Sequence, residues 1–92
     1  MKMVKRSKLD IYNSLLRAID SYGGKGRITH LSYASNTPLD RTRRYLQFLA
    51  SKGLLREERN EDGTDYVMTP RGYEFLRAYA VVGALVEPDS GR

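Results

Sequence analysis

The chain contains no cysteine and only one histidine, His30. Without cysteine there can be no disulfide, no thiolate zinc site and no cysteine nucleophile. That absence fits a cytoplasmic protein, and it fits a hot environment equally well. His30 has no partners of the right type nearby in sequence, so we read it as a surface or phosphate-near residue and expect no metal. Long apolar runs are also missing. The longest, Ala78 to Val86, is too short to span a bilayer, so no membrane partner is expected. The basic start, MKMVKRSK, leads into an amphipathic pattern and not an apolar one, so no signal peptide is visible. The stretch Gly23-Gly24-Lys25-Gly26 lacks the spacing and the following Ser/Thr of a phosphate loop, and reads as a turn. No carboxylate pair or nucleophile–base pair stands at a recognisable spacing. An enzyme is therefore not expected, nor is a cofactor or a small-molecule ligand.

What remains is small and basic. Ninety-two residues suit one domain with a helical appendage. Sixteen Lys and Arg against eleven Asp and Glu give a net charge of +5, with a pI near 9.7. That balance favours a polyanionic partner without identifying it.

In chain order, Lys2, Lys5, Arg6 and Lys8 come first, with no acid among them. They form either an arm that touches phosphates or a solubilising tail. Ser7 to Asp10 reads as a capping box. Leu9, Tyr12, Leu16 and Ile19 follow at helical spacing, with Ile11 and Leu15 widening the stripe. This first helix should end near Tyr22, before Gly23-Gly24. Residues 27–29 suit a very short strand. Thr29 is expected to cap a short second helix from His30 to about Ser35, with Leu31 as its clearest core residue. Asn36 should end it.

The stretch TPLDRTRRYLQFLASKGLL, Thr37 to Leu55, organises the rest. Thr37 suits an N-cap, Pro38 the first helical position, and Gly53 the position after the end. The spacing predicts a helix from about Pro38 to Lys52. Leu39, Thr42, Tyr45, Leu46 and Leu49 fall on one side, and Asp40, Arg43, Arg44 and Gln47 on the other, with Arg41 on the flank. Arg41, Arg43 and Arg44 lie in the first two turns, where a DNA-reading helix enters the major groove. The helix is either such a recognition helix or an ordinary amphipathic helix with a solvated basic face.

Leu54 to Arg59 and Thr64 to Met68 then read as two short strands, with Asp62-Gly63 as the turn signal. Thr69-Pro70 starts a last helix that should reach about Val86 and stop before Glu87-Pro88. It is too apolar for a surface helix. Gly72, Leu76, Tyr79, Gly83 and Val86 form one seam, and Phe75, Ala78, Val82 and Leu85 another. One seam can pack on the domain, and the other needs a second surface. Self-association is the simplest answer, and Phe75, Ala78, Tyr79, Val82, Leu85 and Val86 are the expected homodimer contacts.

The expected fold class is mainly α with a small β-hairpin: a winged helix-turn-helix with a C-terminal dimerisation helix. The division is a basic arm at 1–6, the winged domain at 7–69, the dimerisation helix at 70–87 and a loose tail at 88–92. The chain resembles the small winged-helix DNA-binding proteins of archaea, the Sulfolobus ten-kilodalton chromatin-type group and its regulator relatives. The resemblance covers roughly residues 5–76. It rests on RSKLDIYNSLLRAI, THLSYASN, RRYLQFLASKGLL and YVMTPRGYEFL, in that order and at matching spacing. It implies a dimer joined by C-terminal helices as an antiparallel coiled coil, and double-stranded DNA binding without catalysis, in the nucleoid of the cytoplasm. Carried onto this chain, it points to Lys5, Arg6, Thr37, Arg41, Arg43, Arg44 and Gln47 as DNA contacts.

Two features depart from that group. The last helix is short, so any coiled coil is a stub. The hairpin is acidic: between Glu57 and Asp65 stand five acids and one base, Arg59. Phosphates repel such a wing, so either Arg59 alone reaches DNA or the wing is held away. The competing reading is a winged-helix protein-interaction adaptor that does not bind DNA.

Overall fold

The computed structural model describes residues 7–86. Lys5 and Arg6, expected in the basic arm, and the expected tail at 88–92 lie outside the described residues. The chain runs α1 (Lys8–Ser21), β1 (Lys25–Arg27), α2 (Ile28–Ser35), α3 (Leu39–Ser51), β2 (Leu55–Asn60), β3 (Gly63–Met68) and α4 (Pro70–Val86). The three strands form one antiparallel sheet in the order β1-β3-β2. The winged helix-turn-helix expected from the sequence is the observed architecture.

Helix α1 starts on the expected capping box. Ser7 Oγ accepts from the Asp10 N–H, and an Asp10 carboxylate oxygen accepts from the Ser7 N–H. Its inner face is Ile11, Leu15, Leu16, Ala18 and Ile19. Leu9, expected on that stripe, is instead 56% exposed, because it begins the helix beyond the edge of the core. Leu31 of α2, Leu46 and Leu49 of α3, Leu55 of β2, and Tyr66 and Met68 of β3 close the core. Fully buried leucines of this kind contribute about 1.5–3 kcal/mol each.

Four local expectations are corrected. Helix α2 begins at Ile28, not His30, because β1 runs into it without a loop. Arg27, not Thr29, holds the N-cap position, with no side-chain cap. The short strand covers Lys25–Arg27 and pairs with β3, Gly26 opposite Tyr66, so the hairpin becomes a three-stranded sheet. The hairpin turn lies one residue earlier than expected. Asn60 pairs with Gly63, leaving Glu61-Asp62 at the bend, and Asn60 Oδ1 accepts from the Asp62 N–H at 2.9 Å. Finally, α3 begins at Leu39 with Pro38 at the N-cap position and no side-chain cap. Thr37 is buried, and its hydroxyl donates to the Ser35 carbonyl at 3.1 Å.

That last correction shows how the helix-turn-helix corner is held. Asn36 takes the left-handed conformation (φ 56) and reverses the chain. The Thr37 carbonyl then accepts from Ser32 Oγ at 2.5 Å and from Thr42 Oγ1 at 3.2 Å. Hydroxyls of both helices thus converge on one turn carbonyl, which fixes α3 relative to α2. At the other end of α3, Gly53 (φ 76) ends the helix as expected.

Helix α4 starts on Thr69, whose Oγ1 accepts from the Gly72 N–H at 3.1 Å and donates to the Gly53 carbonyl at 2.6 Å. The expected cap is therefore present here, and it ties α4 to the end of α3. Gly72 is buried against the Leu54 carbonyl and the Met68 sulfur. Phe75 and Leu76 pack on the core, and the Tyr79 hydroxyl donates to Asp10. Beyond them Val81, Val82, Leu85 and Val86 are exposed, Leu85 by 78%. Among the described residues no helix is long and apolar enough to cross a membrane.

Candidate nucleic-acid interface

Helix α3 buries Thr42, Leu46 and Leu49 and turns Asp40, Arg41, Arg43, Arg44 and Gln47 to solvent. Leu39, expected on the inner side, is 42% exposed at the helix start. No salt bridge among the described residues involves Arg41, Arg43, Arg44 or Arg59. The arginines expected to face a partner thus form no ion pair among the described residues.

The wing stands beside this helix and encloses a cleft of about 420 Å³. Arg43 and Gln47 of α3 line one wall, Glu57 and Arg59 of β2 the other, with Arg27 and Thr29 at the end. Tyr66 lies at the base. Burial and the Glu57 carboxylate push its phenol above the ordinary value, while Arg43 and Arg59 pull it back. The structure thus brings Arg43, Gln47 and Arg59 together in one cleft. Arg41 and Arg44 lie outside it, on the open surface of α3, and the Thr37 side chain is withdrawn into the corner.

The acidity of the wing is distributed by the strand alternation. Glu57 and Arg59 face the cleft, opposite Tyr66 and Thr64. Glu58 and Asp65 pair across the strands on the other face. There Glu58 meets Arg56 at 2.6 Å, and Asp65 meets Arg27 at 2.6 Å. The hydrogen bond from Arg27 holds the Asp65 carboxyl below the ordinary carboxylate range. Two of the five acids are thus paired away from the cleft, and Glu61 and Asp62 stand at the tip. The expectation that acids dominate this wing fails for its inner face, where one arginine meets one carboxylate.

Sequence reasoning missed two residues here. Arg27 sat in a stretch read only as a possible strand. Tyr33 is 89% exposed and lies one helical turn from Thr29, on the same outer stripe of α2. An aromatic on the outer side of a short helix was the available signal. His30 is exposed, with its ring 5.7 Å from that of Tyr22. Among the described residues no cluster of acidic or histidine side chains is suited to hold a metal.

A basic helix held at a rigid corner, with a hairpin standing over it, defines a winged helix-turn-helix domain. The family model for winged helix-turn-helix proteins matches residues 5–86, and the chain belongs to that family, a non-enzymatic one. Sso10a-2, a DNA-binding protein from Sulfolobus solfataricus, has the same fold at 21% identity, with a TM-score of 0.71, over 91% of this chain and 100% of that one. F93 from STIV, a winged-helix DNA-binding protein, is 19% identical with a TM-score of 0.72, over 91% and 98% of the two chains. BpsR of Bordetella bronchiseptica, whose DNA binding is regulated by 6-hydroxynicotinic acid, is 16% identical with a TM-score of 0.75. That match covers 89% of this chain and 64% of BpsR. No curated protein matches the chain in sequence.

Proposed function

We propose that this protein binds double-stranded DNA as a homodimer and serves as a transcription regulator or chromatin-type protein in the nucleoid. The observation that carries the reading is the set of exposed, unpaired arginines on α3, beside a wing whose inner face is not acidic. In this reading α3 enters the major groove. Arg41, Arg43 and the arm residues Lys5 and Arg6 contact phosphates, and Arg59 does so from the wing. Arg44 and Gln47 are the candidates for base edges, Arg toward guanine and Gln toward adenine. Tyr33 adds a contact from α2.

Dimerisation through α4 completes the reading. Phe75, Ala78, Val82 and Val86 line an apolar groove with Leu9 of α1, and Leu85 lies beside it. Tyr79 lines the same groove, though its hydroxyl is already engaged by Asp10. A second copy of α4 seated there covers apolar surface that is otherwise wet. A two-fold dimer sets the two recognition helices about 34 Å apart, one DNA turn, or a multiple of it.

The test is fluorescence anisotropy on labelled duplexes with Arg44→Ala. If Arg44 reads a guanine, the variant loses about 1–3 kcal/mol and its preference blurs at one position. Equal weakening on every sequence assigns Arg44 to phosphate alone. Wild-type protein that leaves duplex DNA free at low salt refutes the function.

A further inference from the structure

Arg27 makes three hydrogen bonds into the hairpin, none of them to its own strand. Its Nε donates to Asp65 Oδ1 at 2.6 Å, Nη1 to the Asp62 carbonyl at 2.8 Å, and Nη2 to Asn60 Oδ1 at 3.2 Å. Asn60 closes the ring, donating from Nδ2 to Asp65 Oδ2 at 3.1 Å. The guanidinium therefore bridges the end of β2, the bend and β3. Gly63 beside it has φ 137, a conformation that favours glycine, and a Cβ there would lie 2.7 Å from Arg27 Nη1. A two-stranded hairpin is marginal by itself in water. Here the brace comes from the residue that ends β1 and directly precedes α2. The base of the wing is held by the β1–β3 pairing, and its tip is tied to the end of β1 by this one side chain.

We propose that Arg27 is the positioning residue of the wing: hydrogen-bonded to the bend and paired with Asp65, it holds the hairpin tip where Arg59 can reach a phosphate. The inference rests on the DNA reading above and deepens it. Geometry favours a brace over a direct contact. Three of the five N–H donors of Arg27, one on each nitrogen, are engaged by Asp65, Asp62 and Asn60, whereas Arg59 faces the cleft with no ion pair among the described residues. A lysine cannot replace this brace, because one ammonium does not span three acceptors held at fork geometry.

The experiment combines salt-titrated anisotropy on a labelled duplex with amide hydrogen exchange at 60–64, using the full chain. The variants are R27K, R27Q, R59Q and R27Q/R59Q. We expect faster exchange at 60–64 in both R27K and R27Q, R27K serving as the milder change should R27Q fold poorly. R59Q should lower the salt slope by about 1, as one lost phosphate contact does. R27Q should lower it by the same amount, and the double variant should bind like R59Q, because both changes remove one contact. The proposal is overturned if exchange at 60–64 is unchanged in R27K and R27Q. It is overturned equally if the losses from R27Q and R59Q multiply, since Arg27 then touches phosphate itself. Failure of the wild type to bind duplex at low salt sinks the DNA reading separately, and the exchange arm still decides whether Arg27 braces the wing.

Discussion

The cleft between α3 and the wing holds Arg43 and Arg59 around one carboxylate, Glu57, with Arg27 at its end bonded to Asp65. The outer half of α4 carries Val81, Val82, Leu85 and Val86, each with more than half of its surface in water. The two regions are exposed for different reasons. Guanidinium groups are well solvated, and the first surface is complete in the single chain: its corner is hydrogen-bonded and its wing is braced. Apolar side chains clustered on one helix lose free energy to water, and the second surface has the composition of half an interface. On the proposed reading, the difference separates what one copy can do from what takes two.

The comparison breaks most visibly at α4. In V82D/L85D the groove and the exposed outer half of α4 each gain a carboxylate, and the protein should sediment as a monomer. Its affinity for a two-site duplex should fall about 100-fold through lost bivalency. An unchanged sedimentation coefficient removes the dimer. The inner half of α4 should respond in stability instead. A Cβ at position 72 meets the Leu54 carbonyl at 2.2 Å and the Met68 sulfur at 2.5 Å. G72A should therefore lose about 2–3 kcal/mol in denaturant unfolding, with the backbone forced apart. The joint between the two regions is Thr69, which caps α4 and bonds the end of α3. T69A should cost about 1 kcal/mol by the same measurement. The smallest effect is in acid. Because Asp65 titrates below its ordinary value of 3.8 in the folded wing, its contribution is complete above that pH. It is lost as the pH falls through the lowered value. Exchange at 60–64 should therefore quicken below about pH 3.8 while the α1 core amides stay protected.

How much was legible in the sequence depended on how local the cause is. The α3 pattern was readable because a 3.6-residue period puts Leu46 and Leu49 on one side and Arg43, Arg44 and Gln47 on the other, whatever surrounds the helix. The two Thr-Pro pairs show the limit. Thr69-Pro70 behaves as the dipeptide predicts. Thr37-Pro38 does not, because Ser32, Ser35 and Thr42 draw Thr37 into the helix-turn-helix corner, and only the folded chain assembles them. Arg27 was invisible for the same reason, since its partner Asp65 lies 38 residues away. The wing misled by composition: its acids were counted together, although strand alternation sends Glu58 and Asp65 to the face away from the cleft.

The most direct measurement of the central claim is wild-type affinity for duplex DNA as a function of salt. Exposed arginines on α3, supplemented by Arg59, predict a log–log plot that falls steeply, by about 0.9 per phosphate neutralised, with several phosphates per protomer. Affinity that does not change with salt, or no binding at the lowest salt, would contradict the assignment of this surface to nucleic acid.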